Sequence, residues 1–131
     1  MQKYAVRVGG GRNHRMGLDD AILIALSGGN IVQTIKQAKI YAGHLIPIEI
    51  DTLEQLKIVL DEGVSLVLLD NMSTAQLTEA VRLCRGRTQT EASGGLTPSN
   101  LVEVAQTGVD FLAMGYLTHS VSYIDIGLDY L

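Results

Sequence analysis

The chain has 131 residues, 47% of them hydrophobic, and a slightly positive mean hydropathy. That length allows one domain with a buried core, which we place over residues 1–131, and the composition excludes an intrinsically disordered protein. The formal net charge is −4 and there is no basic run, which argues against nucleic acid as the main partner.

Membrane and secretory segments are not predicted. No apolar run approaches the ~20 residues that cross a bilayer, and the first residues lack the apolar core of a signal peptide. The single cysteine, Cys84, falls at an apolar position of a predicted helix. A lone core cysteine suits a reducing compartment, so we expect a cytoplasmic protein.

The N-terminal segment combines a weakly alternating stretch with a glycine- and arginine-rich loop. Tyr4–Val8 is compatible with a strand, and GGGRNHRMG follows over Gly9–Gly17. Guanidinium groups can hold carboxylate or phosphate through two parallel hydrogen bonds, so Arg12, His14 and Arg15 suggest an anion site. The alternative, a terminal loop with solvated arginines, stays open at this point.

Five βα-type units are predicted next. Apolar runs predict strands at Ala21–Leu26, Ile46–Ile50, Leu66–Leu69 and Phe111–Met114, and the polar segment Thr88–Glu91 occupies the strand position of the same repeat. Helix-start signals follow the first four strands, at Asn30, at Thr52 with Gln55, at Ser73 with Gln76, and at Thr97 with Pro98 in the first helical position. The alternation of Ile124, Ile126, Leu128 and Tyr130 indicates a final edge strand.

Repeated strand–helix units predict an α/β fold with a parallel sheet and right-handed crossovers. A complete eight-stranded (β/α) barrel needs about 250 residues, so this chain can form only part of one. The alternative is an open, flavodoxin-like parallel sheet. An incomplete barrel leaves sheet edges open and an apolar face exposed, so we expect a homo-oligomer.

The predicted strands all end in polar or glycine residues. These are Glu49 and Asp51, then Asp70 and Asn71, then Glu91 with Ser93-Gly94-Gly95, then Gly115 and His119. Crowded carboxylates repel unless a cation intervenes, and Mg²⁺ prefers such oxygen ligands, often together with substrate phosphates. The glycines before a helix offer backbone N–H groups to a phosphate. The residues therefore predict a Mg²⁺-assisted, phosphorylated ligand, although each turn alone is ordinary turn chemistry.

Five segments, taken in order, resemble the C-terminal, barrel part of the quinolinate phosphoribosyltransferase family. They are KYAVRVGGGRNHRMGLDDAILI, EIDTLEQL, LLDNMS, EASGG and VDFLAMGYLTHS. The resemblance implies an enzyme that makes nicotinate mononucleotide, CO₂ and pyrophosphate from quinolinate and phosphoribosyl pyrophosphate. NAD biosynthesis uses that product.

The resemblance also implies roles for individual residues. His14 and Arg15 match residues that hold the quinolinate carboxylates. Glu49 and Asp70 match the acids near the ribose and the Mg²⁺-pyrophosphate, and would act as catalytic and metal-binding groups, partly through water. The phosphate cradle corresponds to Ser93, Gly94, Gly95 and Gly115. Nothing in the sequence assigns Asp51, Glu91 or His119 to a ligand.

The chain departs from the family pattern at three points. The family's N-terminal domain and its Thr-Arg-Lys-Thr stretch have no counterpart, and Ala25 stands where the family has an active-site lysine, next to a shortened Ser27–Asn30 turn. These differences motivate a second hypothesis, a truncated or engineered non-catalytic scaffold that keeps the fold without the chemistry. Such a compact turn is also what a redesigned βα loop would use.

Overall fold

Five parallel strands form one sheet with the spatial order β1-β2-β3-β4-β5. The computed structural model describes residues 2–13, 24–25, 30–41, 46–120, 122, 125 and 127–128. The strands are β1 Ile24–Ala25, β2 Pro47–Ile50, β3 Leu66–Asp70, β4 Gln89–Ser93 and β5 Phe111–Leu112. The helices are α1 Gln2–Val8, α2 Ile31–Tyr41, α3 Leu53–Asp61, α4 Thr74–Cys84, α5 Leu101–Gln106 and α6 Tyr116–His119.

One face of the sheet packs against the helices. Alternate strand residues point to the same face, and register pairs Ile48 with Val67 and Ile50 with Leu69. These four side chains are buried in a core shared with helical residues such as Leu56. This packing confirms that the apolar runs at Ile46–Ile50 and Leu66–Leu69 form buried strands. A strand covered by helices needs no alternation of polar and apolar residues.

The opposite face of the sheet carries acidic as well as apolar side chains. Glu49 lies opposite Leu68, Leu68 opposite Glu91, and Glu91 opposite Phe111 across successive strands. In a (β/α) barrel this is the face that points to the barrel interior. Acidic groups on this face therefore belong to a different environment from the helix-facing core.

Side-chain caps fix the starts of three helices, as the sequence predicted. Thr52 with Gln55 and Ser73 with Gln76 form complete capping boxes at α3 and α4. Asn30 Oδ1 accepts a hydrogen bond from the Gln33 N–H at the start of α2. Each cap supplies a partner to an N–H that the helix itself leaves unsatisfied.

The strand order decides between the two predicted architectures. Each crossover places the new strand beside the previous one, and consecutive helices pack against each other. A flavodoxin-like sheet has the order 2-1-3-4-5, with a reversal of direction along the sheet. The observed order has no reversal, so the fold is part of a (β/α) barrel and the flavodoxin-like alternative is wrong.

The N-terminal strand prediction is also wrong. Tyr4–Val8 lies within helix α1, which buries none of its residues. An isolated strand must find a partner for its backbone groups, and none of the described strands pairs with this segment. The helix satisfies those groups internally, and Gly9 and Gly11 continue the bonding to the Ala5 and Val6 carbonyls.

The start of α5 differs from the prediction as well. Thr97–Asn100 forms a hydrogen-bonded turn, and the helix begins at Leu101 instead of at Pro98. Asn100 is responsible, because its side chain accepts from the Thr97 N–H and donates to the Gly95 carbonyl. In the predicted C-terminal edge strand, Leu128 is exposed and in no strand, while Ile124, Ile126 and Tyr130 lie outside the described residues.

None of the helices in the described part of the chain is both long enough and apolar enough to cross a membrane.

Candidate active site

The carboxyl ends of β2, β3 and β4 bring polar residues to one edge of the sheet. Glu49 lies in β2 and Asp51 directly follows that strand, while Asp70 is the last residue of β3. Asp70 is the register partner of Ser93, the last residue of β4. Parallel strands end at the same edge, so residues far apart in sequence become neighbours there.

Three carboxylates converge at this edge. One oxygen each from Glu49, Asp51 and Asp70 lies within 4.8 Å of the other two. Glu49 and Asp70 are half-buried and Asp51 is exposed. Two unit charges at such a separation repel by about 1 kcal/mol in water, and by more where water is excluded. The cluster therefore favours a cation.

Asp51 is the third carboxylate of this cluster, a residue that the sequence placed at the strand ends but did not assign to a ligand. The backbone N–H of Asp51 donates to Gln55 Oε1 at 2.7 Å, and the Thr52 N–H donates to the same oxygen at 3.1 Å. The capping box of α3 thus also holds the residue that carries the third carboxylate. In the sequence, the capping box that begins one residue after Asp51 indicated the start of a helix, but it gave no indication of a ligand.

The donor set suits Mg²⁺. All three groups are oxygen ligands, the type that Mg²⁺ prefers. One oxygen of each lies within 4.8 Å of the other two, so the three carboxylates are near enough to share one cation, directly or through water. Among the described residues this is the group of His, Cys, Asp and Glu side chains with metal-binding spacing.

A glycine turn lies beside the acids. Gly94 and Gly95 both have positive φ, at 88° and 62°. Gly94 faces Asn71 so closely that an added Cβ would lie 2.2 Å from Asn71 Oδ1. Among the described residues neither glycine N–H donates a hydrogen bond. Both N–H groups are therefore available to an oxyanion, and the phosphate cradle at this turn stays a prediction.

The fourth predicted cradle residue, Gly115, follows β5. The Ala113 N–H donates to the Ala92 carbonyl at 2.9 Å, which places the end of β5 beside β4. The exposed imidazole of His119 lies over Gly115, where an added Cβ would come 2.9 Å from Nε2. His119 Nδ1 is within 2.6 Å of Ser120 Oγ. His119 thus covers Gly115, a role that the sequence did not reveal.

The inner face of the sheet connects this edge to the N-terminal loop. Glu91 is 8% exposed, and its register partner Phe111 lies under the guanidinium of Arg12, whose Cζ is 5.9 Å from the ring centroid. An arginine at that distance gains from the quadrupole of the ring. The start of the predicted anion loop therefore lies against the same face as Glu49 and Glu91. His14 and Arg15, the predicted carboxylate ligands, lie outside the described residues.

Nearly the whole chain is similar in sequence to proteins of one family. The family model for the C-terminal domain of quinolinate phosphoribosyl transferase matches residues 1–129. The chain is 47% identical to nicotinate-nucleotide pyrophosphorylase [carboxylating] of Mycobacterium leprae, over 98% of this chain and 48% of that protein. It is 40% identical to the probable enzyme of that name from Bacillus subtilis, over 98% and 47%.

A solved structure agrees with these sequence matches. The nicotinate-nucleotide pyrophosphorylase of Ehrlichia chaffeensis superposes with a TM-score of 0.89 at 37% identity, covering 97% of this chain and 48% of that one. The chain therefore spans about half the length of the relatives it matches. A thiamine phosphate pyrophosphorylase from Pyrococcus furiosus, 19% identical with a TM-score of 0.59, shares the fold alone.

Proposed function

The chain belongs to the quinolinate phosphoribosyl transferase family, and from that premise we propose that it carries the phosphoribosyl-pyrophosphate half of the family's active site. The observation that supports this most directly is the convergence of Glu49, Asp51 and Asp70 next to the Gly94–Gly95 turn. The proposed substrates are quinolinate and phosphoribosyl pyrophosphate, and the products are nicotinate mononucleotide, CO₂ and pyrophosphate.

The proposed reaction exchanges one bond at the ribose and releases one carboxylate. The pyridine nitrogen of quinolinate forms a bond to ribose C1 while the bond from C1 to the pyrophosphate oxygen breaks. The 2-carboxylate then leaves as CO₂, and its electron pair remains on the ring carbon, which takes up a proton. Positive charge develops at the ribose and negative charge departs with the pyrophosphate, so fixed groups of both kinds are needed nearby.

The acids and glycines divide this work. Glu49 and Asp70, joined by Asp51, would hold Mg²⁺, which neutralises charge on the departing pyrophosphate. The same carboxylates favour positive charge on the ribose. Ser93, Gly94 and Gly95 would bind the sugar phosphate through backbone N–H groups, together with Gly115, which follows β5, the strand next to β4. His14 and Arg15 remain the proposed ligands of the quinolinate carboxylates.

Two further properties belong to the proposal. We infer self-association, because β1 and β5 lie at the edges of the described sheet and the apolar side chains of Tyr4 and Val8 on α1 are exposed. We also infer a reducing, cytoplasmic setting, which the buried free thiol of Cys84 supports.

Product formation tests the proposal. The chain at high concentration would be given quinolinate, Mg²⁺ and phosphoribosyl pyrophosphate, with release of CO₂ as the readout and Asp70→Ala as the control. Turnover above the Asp70→Ala background is the expected result. If the unmodified chain neither turns over nor binds phosphoribosyl pyrophosphate with Mg²⁺, the non-catalytic scaffold becomes the better description.

A further inference from the structure

Asn71 has an unusual backbone conformation at the centre of the candidate site. Its φ is 51°, and among the described residues every other positive φ belongs to a glycine. Residues with a side chain rarely adopt this left-handed conformation, and asparagine is one of the few that tolerate it. This conformation turns the chain between Asp70, the last residue of β3, and Ser73, the cap of α4.

Asn71 contacts both parts of the site. Its side-chain Nδ2 donates to Asp70 Oδ2 at 2.6 Å, and its backbone N–H donates to the Ser93 carbonyl at 2.9 Å. Its Oδ1 lies against Gly94, at the place where a Cβ would stand 2.2 Å away. One side chain therefore connects the carboxylate cluster with the glycine turn.

We propose that Asn71 is a positioning residue that sets the rotation of the Asp70 carboxylate and the position of the Gly94 turn together. The inference rests on the proposed function, since it assigns Asn71 a role in binding Mg²⁺ with phosphoribosyl pyrophosphate. A carboxylate with one oxygen bonded to an amide keeps its other lone pairs in a fixed direction. Mg²⁺ demands near-ideal geometry, so a freely rotating Asp70 would bind it less well.

The chemistry of Asn71 is difficult to replace. Glycine keeps the left-handed backbone and the N–H to Ser93 but removes the amide that holds Asp70. Aspartate keeps the shape but cannot donate to Asp70, and it adds a fourth negative charge to three existing carboxylates. Comparison of these two substitutions distinguishes the contribution of the side-chain amide from that of the backbone conformation.

Calorimetric titration with phosphoribosyl pyrophosphate, at several Mg²⁺ concentrations, tests the inference. For Asn71→Gly we expect the far-ultraviolet circular dichroism and the melting temperature to stay near those of the unmodified chain. Its Mg²⁺-dependent affinity should fall about 10-fold or more, which is the usual effect of losing an outer partner of a metal ligand. The Mg²⁺ concentration at half-saturation should rise, and binding without Mg²⁺ should fall by a smaller factor, because the Gly94 turn also loses its contact with the side chain.

The outcomes separate two failures. If Asn71→Gly binds within twofold of the unmodified chain while that chain binds in a Mg²⁺-dependent way, the positioning role is overturned and the proposed function stands. If the unmodified chain does not bind, the proposed function fails and this inference falls with it. If Asn71→Gly unfolds, the isosteric Asn71→Asp replaces it in the titration. We expect a larger loss of affinity for this variant, and binding within twofold of the unmodified chain would again overturn the positioning role.

Discussion

Asp70 and Ser93 are register partners at the last positions of β3 and β4, so one of the three clustered carboxylates and the start of the Gly94–Gly95 turn lie on adjacent strands. The next residue, Asn71, bonds to the Ser93 carbonyl and continues the pairing one step beyond the sheet. The magnesium pyrophosphate group of the proposed reaction would need a carboxylate and a phosphate-binding turn close together. The register of β3 and β4 brings such a pair of elements to one edge of the sheet.

Removal of the Asp70 charge should weaken ligand binding without lowering the stability of the fold. Asp70→Asn takes away one of three clustered carboxylates, so the affinity for Mg²⁺ with phosphoribosyl pyrophosphate should fall about 10-fold or more. Without Mg²⁺ the melting temperature should stay equal or rise, because like-charge repulsion is relieved. Asp61→Asn is the matched control, since Asp61 pairs with Arg87 at the end of α3, away from the strand carboxyl ends. Equal losses in both variants would contradict the assignment.

Alanine at the two adjacent glycines should have unequal effects. Both positions have positive φ, which costs an L-residue about 1–2 kcal/mol. At Gly95 an added Cβ meets nothing within 4 Å, whereas at Gly94 it would stand 2.2 Å from Asn71 Oδ1 and 2.9 Å from the Asn71 backbone nitrogen. Urea denaturation should therefore show a larger decrease in the free energy of unfolding for Gly94→Ala than for Gly95→Ala. Gly86→Ala, with positive φ and open space, controls for backbone strain outside the site.

The capping box of α4 should contribute measurably to stability. Ser73 Oγ accepts from the Gln76 N–H, and Gln76 Oε1 accepts in return from the Ser73 N–H at 2.9 Å. Loss of such a cap costs about 0.5–2 kcal/mol, so Ser73→Ala should lower the free energy of unfolding by that amount. Thr78→Ala, which removes a hydroxyl bonded within the same helix to the Thr74 carbonyl, should change it by less. A smaller effect at Ser73 than at Thr78 would refute the cap's importance.

The thiol of Cys84 should make stability fall in alkaline solution. Burial raises the pKa of the Cys84 thiol from its ordinary 9.0 to about 11, against a smaller lowering influence from Arg87. The folded state holds the proton more tightly than the unfolded state, so this contribution is complete below about pH 9 and is lost as pH rises toward 11. In Cys84→Ala the free energy of unfolding should decline less steeply over that range. Parallel slopes would show that other groups control the alkaline transition.

Self-association should be visible by light scattering at micromolar concentration. The edge strands β1 and β5 of the described sheet, and the exposed Tyr4 and Val8 one helical turn apart on α1, favour contact with a second copy. Val8→Lys should shift the equilibrium toward the monomer if α1 takes part, while Val102→Lys on α5, similarly exposed, serves as the control. A monomeric unmodified chain would contradict the prediction.

Local signals in the sequence were sufficient for most elements and for much of the site. The apolar run Leu66–Leu69, the capping boxes at Thr52 and Ser73, and the acids and glycines after the strands are short-range features. They depend on neighbours a few residues apart, which the sequence shows directly. The motifs at Glu49, Asp70 and Gly94 also carried the family resemblance, and the comparisons confirmed it.

Tertiary structure decided what depends on neighbours distant in the sequence. Strand order distinguishes part of a barrel from a flavodoxin-like sheet, and only the pairing of strands reveals it. Asp51 joined the acidic cluster because β2 and β3 end at the same edge, and Asn71 gained its role because Gly94 leaves room for its side chain. The helical state of Tyr4–Val8 and the late start of α5 followed from where backbone hydrogen bonds found partners. The sequence by itself thus determined which groups are present at the strand ends, and packing determined which of them meet, because contact requires a shared edge that no local pattern encodes.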